Sequence, residues 1–281
     1  MHWYLLWGLG AAMAWGSADF FAKKAAVEFG FWPTVWGMNA VGALALSALW
    51  GAGGITIPRS QLLLLIGLGV GNTIGGVVFY YALEFGPLVL VSPITAAYPV
   101  VSAWLAYEIS GERLGPLVAL AVGGVILGTL LASVGAGERE IAHPRRVSAL
   151  WAAAAGAVIF GAVFYALAAH AGASSSTAPV FVFRLAGASL LALPVLVGKR
   201  LPLSVFRSRW VWATGLLDSA AYLFYAEGAH HLPVSVVSAL SGLFTVWTLV
   251  LAIVFLRERL LPRQWAGVLL ILTAITLLSW R

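Results

Sequence analysis

Asp218, Tyr222 and Tyr225 stand at i, i+4 and i+7 within one apolar stretch, so a helix there carries a carboxylate and two phenols on one face. Such a stripe can bind the amine of a substrate or hold a coupled proton. It can equally be one side of a structural ion pair whose other side is Arg184, one third of the way into the preceding stretch. The fork of donors on Arg184 also suits a substrate carboxylate or phosphate. Asp19 lies near the end of the first stretch, where it either acts directly in a site or pairs along a helix with Lys23, four residues on. Asn72, Gly76 and Tyr80 recur every fourth residue in the third stretch and offer a further polar face. Trp15, deep in the first stretch, belongs either to an aromatic pocket wall or to core packing.

These groups are conspicuous because so little else is charged. Of 281 residues, 62% are hydrophobic and 9% charged, and mean hydropathy is +0.97. Soluble domains carry roughly 25% charged residues, so the solvent for most of this chain is lipid. A charge placed there costs at least about 2.5–3.5 kcal/mol, which makes each one a candidate for function. The net charge of +6 sits in short loops, where it reads as topology signal and headgroup contact rather than a nucleic-acid surface. There is no cysteine, so disulfides and thiol metal sites are excluded. His230-His231 has no third ligand at helical spacing, so no metal site is expected. No GxxxxGK[ST], HExxH or GxSxG pattern is found, and no cofactor or enzymatic role is expected.

Ten apolar stretches are long enough to cross a bilayer, near 3–21, 32–51, 62–83, 88–107, 116–135, 148–169, 178–198, 210–229, 234–255 and 263–280. They are continuous rather than alternating, which argues for helices over barrel strands. The first lacks a basic leader and reads as a retained helix, not a signal peptide. Pro93 and Pro99 interrupt the fourth. Each removes a backbone donor and frees a carbonyl about one turn earlier, so this helix is expected to kink beside a cavity, either as a moving gate or as a static kink. The ninth answers with Ser238, Ser241, Gly242 and Thr245, a small-residue face suited to packing or bending.

The charged hexapeptide GERLGP at 111–116 returns as RERLLP at 257–262. Ala14-Trp15-Gly16 likewise matches Ile159-Phe160-Gly161. Met38-Asn39 matches Phe183-Arg184, Tyr81-Ala82 matches Tyr225-Ala226, and Val91-Ser92 matches Val237-Ser238. Matches in the same order indicate a duplication with a gap between the third and fourth stretches. Five spans per copy is odd, so the second copy enters the bilayer from the other side. The expected fold is therefore an all-α integral membrane protein, ten transmembrane helices in two inverted five-helix repeats, 1–140 and 141–281. Glu112-Arg113 and Glu258-Arg259 then lie on opposite faces, as turn anchors or as a latch.

Trp15-Gly16-Ser17, Tyr81-Ala82-Leu83, Tyr98-Pro99-Val100 and Gly111-Glu112-Arg113-Leu114 resemble the drug/metabolite transporter superfamily, in particular its EamA-like ten-helix exporters. Glu258-Arg259-Leu260 and Gly267 repeat the pattern in the second half. The resemblance covers nearly the whole chain. It departs at Thr245 for Pro99, Arg257 for Gly111 and Asn39 for Arg184, so the halves are chemically unequal. It implies a secondary transporter or exporter of small metabolites; with the inverted repeat, the expected function is a secondary active exporter of small organic metabolites, amino acids foremost, working by alternating access in the cell membrane. On this reading Trp15, Asn72, Tyr80, Tyr98, Arg184, Asp218 and Tyr222 bind substrate, and Pro93 and Pro99 gate. Membrane lipids and a small molecule are the partners, with proton coupling and a homodimer left open. An intramembrane enzyme acting on a lipid-linked substrate would need a nucleophile–base pair or metal cluster, which the sequence does not offer. A non-transporting scaffold would have a sealed interior. The resemblance implies both termini in the cytoplasm. The loops on the far side hold 12 Lys and Arg, against three (Arg59, Arg113, Arg281) on the termini's side, and this tally would put both termini outside.

Overall fold

The computed structural model describes residues 2–51, 59–86, 88–133, 144–169, 176–198, 201–256 and 262–279. The expected boundary between halves, near residue 140, lies outside the described residues. So do Glu258 and Arg259. Among the described residues there is no strand. The first half holds α1 (Leu5–Phe29), α2 (Phe31–Gly51), α3 (Leu62–Phe85), α4 (Leu88–Thr95), α5 (Tyr98–Ser110) and α6 (Pro116–Ser133). The second holds α7 (Pro144–Ala169), α8 (Thr177–Ala192), α9 (Arg209–Ala229), α10 (Val234–Ser241), α11 (Phe244–Leu256) and α12 (Pro262–Ser279). These are the ten expected spans, with the fourth and ninth each broken in two.

The arrangement is inside-out relative to a soluble protein. Leu63, Leu196 and Trp151 are 83%, 82% and 74% exposed, whereas Asp19, Asn39, Asn72 and Arg184 are buried. Apolar side chains outside and polar ones inside is what a hydrocarbon solvent selects. Leu62–Phe85 and Val147–Ala169 are, among the described residues, long and apolar enough to cross a membrane unaided. The fourth and ninth spans fall short because they are broken.

The helices pack as related pairs. α1 lies on α9 and α3 on α7; α2 lies on α8, and α6 on α12. Exchanging the halves exchanges the first two contacts and leaves the last two unchanged. Glycines set the spacing. A Cβ on Gly16 would meet the Phe244 carbonyl at 2.5 Å, and one on Gly161 would meet the Tyr98 carbonyl at 2.9 Å. One on Gly69 would meet the Phe183 backbone at 3.0 Å, and one on Gly215 the Met38 carbonyl at 2.8 Å. Small residues let backbones approach in a membrane, where lipid supplies no hydrophobic drive between helices. Hydroxyls copy the same geometry: Ser102 Oγ donates to the Gly161 carbonyl (2.9 Å) and Thr248 Oγ1 to the Gly16 carbonyl (3.3 Å).

These contacts correct the register of the repeat. The first two spans match at a separation of 145 residues, and the third and fourth at 146. Gly69 pairs with Gly215, Thr73 with Ser219, and Ser92 with Ser238. The gap therefore falls between the second and third spans rather than after the third. Tyr81 is the counterpart of Glu227, not of Tyr225.

The two breaks also match. In α4–α5 the chain loosens at Ala96 and Ala97, because Pro99 has no N–H and its ring opposes the carbonyl four residues back. In α10–α11 it loosens at Gly242 and Leu243 without a proline. A Cβ on Gly242 would lie 2.8 Å from Pro99 Cγ, so one break is seated against the other. At the end of α5, Gly111 adopts φ 64° and turns the chain into Glu112.

Candidate functional site

A cavity opens between the halves, with an empty volume of about 580 Å³ including its mouth. Six of the seven candidate binding residues line it: Trp15 (α1), Asn72 and Tyr80 (α3), Tyr98 (α5), and Asp218 and Tyr222 (α9). The seventh, Arg184, is completely buried and sits behind the wall. Its Nη2 lies 2.6 Å from Asp218 Oδ2, its Nη1 donates to Asn39 Oδ1 at 3.5 Å, and its guanidinium lies 4.9 Å from the centre of the Tyr222 ring. Its Nε has no hydrogen-bond partner. Arg184 thus neutralises Asp218 rather than facing the space. Asn39 and Arg184 are counterparts 145 residues apart, and they meet where α2 crosses α8.

α9 presents its stripe as the spacing predicts. Asp218 Oδ1 accepts from Trp15 Nε1 at 2.9 Å, and the Tyr222 hydroxyl donates to Asn72 Oδ1. Tyr225 points elsewhere: its hydroxyl bonds Ser238 Oγ at 2.8 Å and the Phe164 carbonyl at 3.2 Å. Trp15 stands edge-on to Tyr222 at 5.2 Å and 5.0 Å from Phe164. Tyr80 donates to Met38 Sδ at 2.8 Å. Of the other deep tryptophans, Trp104 is exposed on the outer face, and Trp247 donates to Ser17 Oγ at 2.9 Å.

The wall extends beyond the seven expected residues. Asp19 lines the cavity, 6% exposed, accepting from Ser92 Oγ at 3.5 Å. Lys23 instead reaches the carbonyls of Leu83 and Gly86 at the end of α3. Asn39, Thr73 and Thr95, and the rings of Phe79, Phe160, Phe164 and Phe244, also line the cavity, with Val35, Met38 and Gly76. The duplication was the available signal for Phe160 and Phe244, since they are the counterparts of Trp15 and Tyr98.

The cavity lies on the first half's side, and the related space is filled. Where the first half has Asp19, Met38 and Gly76, the second has Phe164, Phe183 and Tyr222. These three rings pack together, with Tyr222 5.4 Å from Phe164 and 6.1 Å from Phe183. Beyond them a polar seal joins the halves. Tyr98 Oη and Ser241 Oγ are 2.6 Å apart, next to the Tyr225–Ser238 bond. Glu112 then caps α10: its carboxylate accepts from Val234 N (3.1 Å), Ser235 N (3.4 Å) and the Ser235 hydroxyl. A carboxylate at a helix N-terminus satisfies amides that the helix leaves open.

Pro99 is buried at the start of α5 beside this seal. Pro93 lies within α4. Among the described residues no group of three or more His, Asp or Glu is placed to hold a metal ion.

A sequence profile of the EamA-like transporter family matches residues 2–134 and again residues 147–280. Comparison with curated proteins gave no match. A solved structure, described only as a crystal structure of a protein, is similar with a TM-score of 0.76. It shares 21% identity, over 98% of this chain and 97% of its own. At that identity the likeness is one of fold.

Proposed function

Because the chain belongs to the EamA-like transporter family, a family of multi-pass membrane transporters of small molecules, we propose that it is a secondary active exporter of small organic metabolites bearing an amino group, amino acids among them, in the cell membrane. The observation that carries this reading is the cavity between the halves, lined mostly by the first half and adjoined by ring packing and a hydrogen-bonded cluster that ties the halves together. Two inverted repeats have two related ways to pack, and exchanging them moves the opening from one face to the other. The transport step is then a change of packing around a fixed site.

In this mechanism Trp15, Asn72, Tyr80, Tyr98 and Tyr222 hold the body of the substrate, and Asp218, held in place by Arg184, anchors its polar end. α4–α5 and α10–α11 act as gates, hinged at their matched breaks, with Pro93 and Pro99 keeping the first hinge from closing into a continuous helix. Glu112 latches the closed side by holding the start of α10. Two carboxylates in one cavity also offer a place for a coupled proton.

Counterflow of labelled amino acids and amines into proteoliposomes tests the proposal. Asp218→Asn is expected to reduce exchange while the protein still folds, as judged by gel filtration. Unchanged exchange removes Asp218 from the site, and no exchange with any member of the series by the unaltered protein overturns the reading.

A further inference from the structure

The two carboxylates of the cavity are not equivalent. Asp218 is occupied, by Arg184 on one oxygen and Trp15 on the other. Asp19 is not. It is 6% exposed, faces the cavity, and has one hydrogen-bond donor, Ser92 Oγ, at the long distance of 3.5 Å. Among the described residues no cation pairs with it, and no Lys, Arg or His lines the cavity. A carboxylate withdrawn from water either takes up a proton or is met by a counter-charge, and a bound cation supplies the second. Aromatic rings, including Trp15, Phe79, Tyr80 and Tyr98, line the same cavity. Rings favour a cation and disfavour an anion, because the face of a π-system is negative.

From this we propose that the cavity selects amines that lack a carboxylate: its ligand is an organic cation with an aromatic or apolar body, and Asp19 is the charge that meets it. The inference rests on the reading that the transported molecule binds in this cavity, and it narrows that reading. The carboxylate of a zwitterionic amino acid would find hydroxyls and amides (Thr73, Thr95, Asn39, Asn72) but no cation, since Arg184 is sealed behind Asp218, Asn39 and the Tyr222 ring. It would also sit near two carboxylates. The amine end gains what the acid end loses, so removing the acid strengthens binding.

The test uses the full chain in detergent and three probes of one shape: 2-phenylethylammonium, its zwitterionic counterpart phenylalanine, and the neutral 2-phenylethanol. Isothermal titration is expected to show the cation binding at least about tenfold more tightly than phenylalanine. Asp19→Asn is expected to weaken the cation by about tenfold or more and to leave 2-phenylethanol within about twofold. Phenylalanine binding as tightly as the cation overturns the inference, and that comparison needs no variant, so it holds even if Asp19→Asn fails to fold. Undiminished cation binding by Asp19→Asn overturns it as well, as does failure of the cation to bind. Counterflow separates this from the broader proposal. If phenylalanine exchanges but the cation does not bind, this inference falls and the transporter reading stands. If the cation binds as expected but nothing exchanges, the reverse holds.

Discussion

The two halves share a skeleton and differ in what they point inward. Gly16 and Gly161, Gly69 and Gly215, and Ser102 and Thr248 make the same close contacts in each copy. At the positions facing the interior, the first half has Asp19, Asn39, Asn72 and Gly76, and the second has Phe164, Arg184, Asp218 and Tyr222. The first set leaves a cavity; the second fills the related space and ties it shut. Even the seal is one-sided. Tyr98 and Tyr225 supply its hydroxyls, and their counterparts, Phe244 and Phe79, have none to give. Residues that fix backbone approach were retained after duplication because any added atom collides. The positions that differ are those turned to the interior, and there the two halves carry different chemistry.

The largest expected effect comes from breaking the buried Arg184–Asp218 pair of the second half. Arg184→Met leaves Asp218 in the interior without a counter-charge, at a cost of about 3–5 kcal/mol, read as a lower unfolding midpoint. Adding Asp218→Asn is expected to recover most of that loss, because the first half manages with Asn39 and Asn72 in these places. Additive losses would show that the pair does not act as a unit.

A smaller effect tests what the halves have in common. Gly16→Ala and Gly161→Ala each force a Cβ to 2.5 Å from a neighbour, the Phe244 carbonyl or Val101 Cβ. Each is expected to cost about 1–3 kcal/mol by overpacking, and to a similar degree in both halves. Gly123→Ala, with nothing within 4 Å of the added atom, is the control and is expected to stay within about 0.5 kcal/mol. Unequal costs at Gly16 and Gly161 would mean that the shared skeleton is not shared.

The smallest effect is at the latch. Glu112→Gln removes a charged cap from α10, worth about 0.5–2 kcal/mol. Spent on the closed state alone, that raises its opening about 2- to 30-fold. Val237 on α10 is fully buried, so faster alkylation of Val237→Cys in the Glu112→Gln background measures it. An unchanged rate would reduce Glu112 to a turn anchor.

Much of this was legible in the residues. Hydropathy gave ten spans, and the repeated hexapeptide pointed to two copies. Helical spacing put Asp218 and Tyr222 on one face, where the cavity is. Two things were not legible. Asp19 has Lys23 one turn away, and local spacing favours that pair; only tertiary packing, which takes Lys23 to the end of α3, separates them. The break at Gly242 has no proline to announce it and depends on contact with Pro99 across the interface. Similarly, Tyr225 and Tyr222 share a sequence stripe but serve different elements, because α10 passes beside one and α3 beside the other.

The central claim is that the second half is the first turned over in the membrane, with the cavity at their junction. The chain has no cysteine, so single thiols at Arg113→Cys, exposed after α5, and at Arg259→Cys, its counterpart outside the described residues, can be probed in sealed vesicles with a membrane-impermeant maleimide. Labelling of the two from opposite faces is the predicted result. Labelling of both from the same face would contradict it.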